Sequence, residues 1–405
     1  MNICFYTDFT MSGMTGGIGR VTTVLTDYFR EHFGWKVFSI YAFQAKADCK
    51  LTENDGAIQL RLHDRLGMRR LGANYIKAAQ FIKEHKIQLV IIQTSMDVVA
   101  RLRSVLNEQG LKDVTVISVL HYTPGTDEFP ISTSELWSDF RKGKASIKAL
   151  AKGVIAPIYN MWEHQATVQA YRKAYEYGDK VILLSDSYIP MYQKFAGLKE
   201  QSNLCALPNS VPFEYNLSEE EIQQKKKTAL MVGRMVDFPK RVTTILKMWQ
   251  RIEQETTAQD WNLEIVGDGP DLQQFKELAS KLELKRCTFT GRQNPLEYYR
   301  HSALFFMTSE FEGFPMTLVE AQQMGCIPVA FDSFGSLHEV VTDGVNGRIV
   351  PNNDIEQYIK TMLELMNDTE GRNRLIKNAI TSCKAYSQAS ICNRWKQLLE
   401  QLVTA

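Results

Sequence analysis

Ala303-Leu-Phe-Phe-Met-Thr-Ser-Glu-Phe-Glu312-Gly-Phe-Pro-Met-Thr-Leu-Val-Glu320 is the stretch that decides the fold. The apolar run 303–307 reads as a fully buried strand. Pro315 falls where the first helical position is expected, Gly325 where the helix closes, and Ile327-Pro-Val-Ala-Phe331 reads as the next strand. Glu312 then lies on a loop and Glu320 inside a helix. In an open parallel sheet, ligands sit in the crevice beyond the carboxyl ends of the strands, where the free amides of a helix start attract anions such as phosphate. An ionised carboxylate can only accept hydrogen bonds. Two of them beside an anion site point to vicinal hydroxyls on sugar rings, the chemistry of a sugar nucleotide. A glutamate early in a helix also complements the dipole, and acidic pairs are common on solvated surfaces, so the spacing alone decides nothing. The Gly-Phe-Pro insert and the trailing Gly325, Pro328 and Ala330 give the string its weight.

Outward from this point the chain repeats one pattern. Strand-like runs at 228–232, 262–266, 287–290, 304–308, 327–331 and 347–350 are separated by helix-length connections. The first half does the same at 3–6, 36–41, 88–93, 115–120, 180–184 and 203–207. Two doubly wound parallel α/β domains follow, in keeping with a length of 405 residues. Pro208-Asn-Ser-Val-Pro212 supplies turn chemistry, and Glu219-Glu-Glu221 to Lys225-Lys-Lys227 is a charged approach to the next strand, so the hinge is placed at 208–227. A last segment, 391–403, carries Trp395, Leu398, Leu399 and Leu402 at helical spacing and needs a surface to pack on.

Composition excludes several classes. With 44% hydrophobic and 23% charged residues and a formal net charge of +1, the chain is an ordinary globular protein with no global pull toward nucleic acid. Its seven cysteines are odd in number, scattered and without a Cys-x-x-Cys pair, which reads as reduced thiols rather than a disulfide framework or zinc site. The run Met1-Asn-Ile-Cys-Phe-Tyr6 lacks the basic flank and apolar core of a signal peptide, and no run approaches a membrane span, so a cytoplasmic location is expected. Arg141, Lys144, Lys148 and Lys152 recur at spacings of three and four beside Phe140, Ile147, Leu150, Ala151 and Val154. This describes a basic amphipathic helix, shortened by Gly153 and Pro157, that is either a solvated edge or a peripheral contact with anionic lipid at the inner membrane face.

The loop Ser12-Gly-Met-Thr-Gly16-Gly17-Ile-Gly19 joins the first strand to a helix and invites a dinucleotide reading. The Gly-x-Gly-x-x-Gly fingerprint needs glycine at position 22, where Thr22 stands, and this disfavours a dehydrogenase. His121, at the end of the run 115–120, is by itself as much a structural residue as a catalytic one.

Glu312 to Glu320 is accompanied by Met231-Val-Gly-Arg234-Met-Val-Asp-Phe-Pro-Lys240, Ile265-Val-Gly-Asp-Gly-Pro270, Phe289-Thr-Gly-Arg292, Asp332-Ser-Phe-Gly-Ser-Leu-His-Glu339 and Asp343-Gly-Val-Asn-Gly347. In that order the set resembles the retaining glycosyltransferases of family 4, the group 1 enzymes of GT-B fold, densely to about residue 351 and in outline over the first half. The resemblance implies two Rossmann-like domains facing across a cleft. An acceptor domain covers 1–207, a donor domain 228–385, and a terminal helix, 386–405, crosses back to the first domain.

Residue roles follow from the same resemblance. Arg234 and Lys240 grip the diphosphate, and Arg241, standing where glycine is frequent in relatives, either adds to the site or faces solvent. Glu320 binds the ribose and Glu312 the transferred sugar. Amides from Phe314, Met316, Thr317 and Leu318 hold hexose hydroxyls and the distal phosphate, with Gly313 for close approach and Pro315 for a fixed helix start. Arg292 lies beside the base, Gly16 and Gly17 approach the donor phosphate, and His121 with Glu312 orients the anomeric centre rather than forming a double-displacement pair. The cations and helix start take the place of a divalent ion, so neither metal nor cofactor is expected besides the donor, a UDP-sugar. The acceptor is a glycan or lipid-linked glycan of the cell surface. A sucrose- or trehalose-type synthase, a nucleotide-sugar epimerase and a non-catalytic sugar-nucleotide-binding module stand as alternatives.

Overall fold

The computed structural model describes residues 1–9, 17–43, 58–62, 71–93, 96–126, 147–213 and 217–404. They form two compact units, Met1–Leu207 with Lys396–Ala405, and Pro208–Trp395.

The first unit is a parallel sheet of seven strands: β1 (Asn2–Phe9), β2 (Lys36–Phe43), β3 (Ile58–Arg61), β4 (Leu89–Ile92), β5 (Thr115–Leu120), β6 (Lys180–Leu183) and β7 (Leu204–Ala206). Their spatial order is β3-β2-β1-β4-β5-β6-β7, so the winding reverses between β1 and β4. β4 and β5 are buried at every residue, as parallel strands covered on both faces must be. β3 is an addition to the strands expected. It is an edge strand whose four residues, Ile-Gln-Leu-Arg, alternate instead of forming an apolar run.

The helix Ile147–Tyr177 corrects the expectation that Gly153 and Pro157 cut it short, since it continues through both. Its far half is anchored by Tyr171 and Ala174, both fully buried. The Tyr171 ring lies 4.8 Å from that of Tyr192, whose hydroxyl donates to the Tyr171 carbonyl at 2.8 Å. Burial on this scale exceeds the roughly 3 kcal/mol that an interior proline costs.

The second unit contains β8 (Lys226–Val232), β9 (Asn262–Val266), β10 (Cys287–Gly291), β11 (Ser302–Met307), β12 (Ile327–Asp332) and β13 (Arg348–Pro351). All run parallel in the order β10-β9-β8-β11-β12-β13, which puts the reversal between β8 and β11. All six match the strands read from sequence. β11 is buried throughout, and the helix Met316–Gln323 follows it with Pro315 one residue before its first position. The helix ends in a Schellman motif: Cys326 N–H donates to Ala321 at 2.8 Å, Gly325 N–H to Gln322 at 3.0 Å, and Gly325 takes φ +60°.

The helix Gln388–Thr404 buries Ile391, Trp395 and Leu399, and from Lys396 onward it belongs with the first unit. There the Lys396 ammonium lies 4.9 Å from the Phe33 ring centroid. Among the described residues no helix is long and apolar enough to cross a membrane. The six described cysteines are unpaired, and burial pushes the thiols of Cys287, Cys326, Cys383 and Cys392 up to about 12.

Candidate functional site

In the second unit the strand carboxyl ends are closed by glycines that let neighbouring loops touch. Gly233 N–H donates to Val266 at 3.0 Å, Gly267 N–H to Gly291 at 2.9 Å and Met235 N–H to Asp268 at 3.0 Å. Gly267 sits at φ +146°, and a Cβ there would lie 1.8 Å from the Gly233 carbonyl oxygen. This contact explains why Val-Gly recurs at the ends of β8 and β9: any side chain would separate the loops.

The loop after β8 meets the loop after β11 at the reversal point. Thr308 Oγ1 donates to the Lys240 carbonyl at 2.8 Å, and Glu310 N–H to the Pro239 carbonyl at 2.8 Å. These bonds bring Lys240 Nζ to 2.5 Å from Glu312 Oε1, an ion pair whose side chains are only 20% and 15% exposed. A cation and a carboxylate selected from sequence for the same ligand are thus bound to each other. Arg234 is exposed, and among the described residues its guanidinium has no hydrogen-bond or ion-pair partner. Phe238 and Phe311 flank this loop pair with ring centroids 5.4 Å apart.

Arg241 does not simply face solvent. It adopts φ +54°, pairs with Glu310, donates to Asn352 Oδ1 at 2.8 Å, and lies 5.9 Å over the Phe331 ring. It therefore ties the loops after β8, β11 and β13 around Lys240. Sequence reasoning leaves this open because its three partners are 69 to 111 positions away and no local pattern names them.

At the helix start the amides divide. Met316 N–H bonds the Phe314 carbonyl at 2.8 Å, and those of Leu318 and Val319 bond Pro315 at 2.9 and 3.2 Å. This narrows the expected row of donors, since Met316 and Leu318 are already engaged. The amides of Gly313, Phe314 and Thr317 keep no carbonyl partner among the described residues. They follow Glu312, the partner of Lys240, in the loop after β11, and free amides at a helix start favour an anion.

Glu320 follows on the same helix. It has no exposed surface, and Tyr299 Oη donates to its Oε2 at 3.0 Å. Tyr299 is itself fully buried, with its ring 5.9 Å from that of Phe305. Glu320 is thus an interior acceptor, and Tyr299 is a partner that the sequence did not announce. Arg292 is exposed at the end of β10.

In the first unit Gly16 lies outside the described residues and Gly17 opens the helix Gly17–Phe33. His121 follows β5 and its Nε2 is hydrogen-bonded to Gln93 Oε1, with Gln93 at the carboxyl end of β4 and almost fully buried. Burial pushes the His121 pKa down to about 4, so the ring is neutral near pH 7. Of the basic run, Arg141 and Lys144 lie outside the described residues, while Lys148 and Lys152 fall in the helix Ile147–Tyr177.

Comparison with known proteins agrees with this geometry. Residues 213–382 match the family described as Glycosyl transferases group 1. An uncharacterised glycosyltransferase of Haemophilus influenzae is 28% identical over 226 residues, covering 55% of this chain and 61% of the relative. The amylovoran biosynthesis glycosyltransferase AmsD of Erwinia amylovora is 26% identical over 235 residues, covering 56% of this chain and 64% of the relative. The match thus spans less than two thirds of either relative. The crystal structure of Anabaena HepE in complex with UDP superposes with a TM-score of 0.73 at 17% identity, covering 99% of this chain and all of that one. Residues 213–382 are thus similar to the group 1 glycosyltransferases, and the fold of the chain is GT-B.

Proposed function

We propose that this chain transfers a hexosyl unit, with retention and without a metal, from a UDP-sugar to a glycan or lipid-linked acceptor in cell-surface polysaccharide synthesis. The observation that carries the reading is the Lys240 and Glu312 pair at the reversal point, with an exposed Arg234 in the same loop as Lys240 and, after Glu312, helix-start amides that have no carbonyl partner among the described residues. As the donor bond breaks, negative charge grows on the departing phosphate and positive charge at the anomeric carbon. Fixed donors aimed at the phosphate are the strongest stabilisation such a site can supply. Arg234, Lys240 and the amides of Gly313, Phe314 and Thr317 offer that set without a divalent ion. Glu312, freed from Lys240 when phosphate takes its place, can accept from the sugar hydroxyls. His121, held neutral by burial, is an orienting group rather than a charge. The choice of UDP is supported by the Anabaena neighbour, solved with UDP and with UDP-glucose. The setting in polysaccharide synthesis is supported by the Erwinia relative.

A thermal-shift series with UDP, GDP and ADP, followed by UDP release from UDP-glucose, tests this. A rise in the unfolding temperature with UDP is expected. A shift with GDP or ADP alone overturns the nucleoside, and no shift with any overturns the sugar-nucleotide reading. Product of inverted anomeric configuration, or loss of turnover on chelation, removes the retaining or metal-independent element respectively.

A further inference from the structure

Gln93 stands at the reversal point of the first unit, tied to the strands on both sides of β4. Its backbone N–H donates to the Tyr6 carbonyl of β1 at 2.9 Å, and its Oε1 meets Nε2 of His121, the residue after β5. This is where the crevice of a doubly wound sheet opens. Only 1% of Gln93 is exposed, and its Nε2 is buried with no hydrogen-bond partner among the described residues. His121 is only partly buried. Buried polar groups are nearly always paired, and an amide N–H without an acceptor weakens a fold that a leucine of similar volume would spare. The strand that leads here, Leu89–Ile92, is aliphatic and fully buried, so an apolar residue would continue it. What glutamine adds at this position is its bond to His121.

A neutral imidazole has one N–H and one bare nitrogen, and an amide oxygen can only accept. With Oε1 facing Nε2, Nε2 carries the hydrogen and Nδ1 is the bare acceptor. Burial, rather than a neighbouring charge, lowers the His121 pKa to about 4, so the ring is in this neutral form near pH 7. A charged ring would have no acceptor to offer. We infer that Gln93 is a positioning residue, which fixes the His121 ring and its tautomer so that Nδ1 is presented to a hydroxyl of the transferred sugar. The sugar in this statement rests on the function proposed above; the hold of Gln93 on His121 does not.

Two measurements on the full chain keep these parts separate. Long-range proton–nitrogen correlation on histidine-labelled protein reads the tautomer without any substrate, with the His121 signal assigned from its loss in His121→Gln. The wild type should show one neutral form at pH 7, protonated at Nε2, and Gln93→Leu a mixture of both tautomers. Gln93→Glu keeps the acceptor and adds a charge, so it should raise the His121 midpoint by about 1–3 pH units. UDP release from UDP-glucose then reads the consequence. Gln93→Leu should lower kcat by about tenfold or more, with UDP affinity unchanged and an unfolding temperature equal to or above wild type. Gln93→Glu should keep its turnover at high pH and lose it on the acid side as His121 charges. A His121 signal unaltered by Gln93→Leu, or a wild type protonated at Nδ1, overturns the proposal whether or not UDP-glucose is turned over. So does wild-type kcat in Gln93→Leu. A lowered unfolding temperature with loss of UDP binding in that variant also overturns it, since Gln93 would then serve the fold alone. If the histidine signals behave as expected but the wild type turns over no UDP-glucose, the fault lies with the proposed donor and the hold of Gln93 on His121 stands.

Discussion

Replacing Glu312 with glutamine should strengthen UDP binding while it weakens transfer. The reason is the pairing of Lys240 with Glu312, 2.5 Å apart. At that distance the attraction is about 1.7 kcal/mol with the dielectric of water and about 6.6 kcal/mol at an effective value of 20. The side chains are 20% and 15% exposed, so the true setting lies between these limits. Desolvation of both groups cancels most of the gain, which leaves a net pair of about 1–2 kcal/mol. A phosphate that takes Lys240 must first displace the carboxylate. Glutamine keeps the shape of the side chain and removes that competitor, so UDP affinity should rise about 5- to 30-fold. Turnover of UDP-glucose should fall about a hundredfold, because the group facing the reacting sugar has lost its charge. Isothermal titration with UDP and a UDP-release assay give the two numbers separately. Unchanged or weaker UDP binding by Glu312→Gln would refute the reasoning, because the pair would then not compete with phosphate.

The remaining expectations concern the groups around that pair. Arg234→Ala should reduce UDP affinity by about 1.5–3 kcal/mol, the range for a hydrogen bond to a charged group. Its unfolding temperature should not move, since Arg234 has no described partner to lose; a lowered one would assign it to the fold. Glu320→Ala should destabilise the chain by about 1–3 kcal/mol in urea unfolding, because it removes the acceptor that the buried Tyr299 hydroxyl donates to. Glu320→Gln, which keeps an acceptor, should be much milder, and equal losses would show that the hydrogen bond is not the cause. Arg241→Gly relieves a left-handed backbone worth about 1–2 kcal/mol while it removes the links to Glu310 and Asn352. Stability should therefore change little while kcat falls; wild-type kcat and KM would show that Arg241 does not position Lys240. His121 binds its proton near pH 4 when folded against an ordinary 6.5, so the unfolded chain holds the extra proton between those values and stability rises with pH across them. The effect is at most about 3 kcal/mol, and it should vanish from the pH 4.5 to 7 difference in His121→Gln. An unchanged slope in the variant would contradict it.

Most of the fold was legible because a parallel strand covered on both faces must be apolar at every position. Ser302–Met307 and Thr115–Leu120 spell this out, and Pro315 and Gly325 bracket the helix between β11 and β12. β3 escaped because an edge strand of four alternating residues carries no such run. Gly153 and Pro157 misled for a different reason. Local propensity argued for a short helix, while Tyr171 and Ala174, a dozen or more residues on, hold a long one through tertiary burial. The site divides in the same way. Lys240 and Glu312 were readable as partners in one crevice because each falls in the loop after a strand, and adjacent strand ends at a reversal point converge. Glu320 was not, because Leu318, Val319, Glu320, Ala321 and Gln322 are all buried. A helix enclosed on every side has no polar stripe from which to tell inward from outward positions. Spacing puts Glu320 in that helix, but its partner Tyr299, 21 positions earlier on a different helix, is named by no local pattern. The two glutamates of the opening string therefore differ in kind: Glu312 is held by a charge that a ligand can replace, and Glu320 by a buried hydroxyl that the fold itself supplies.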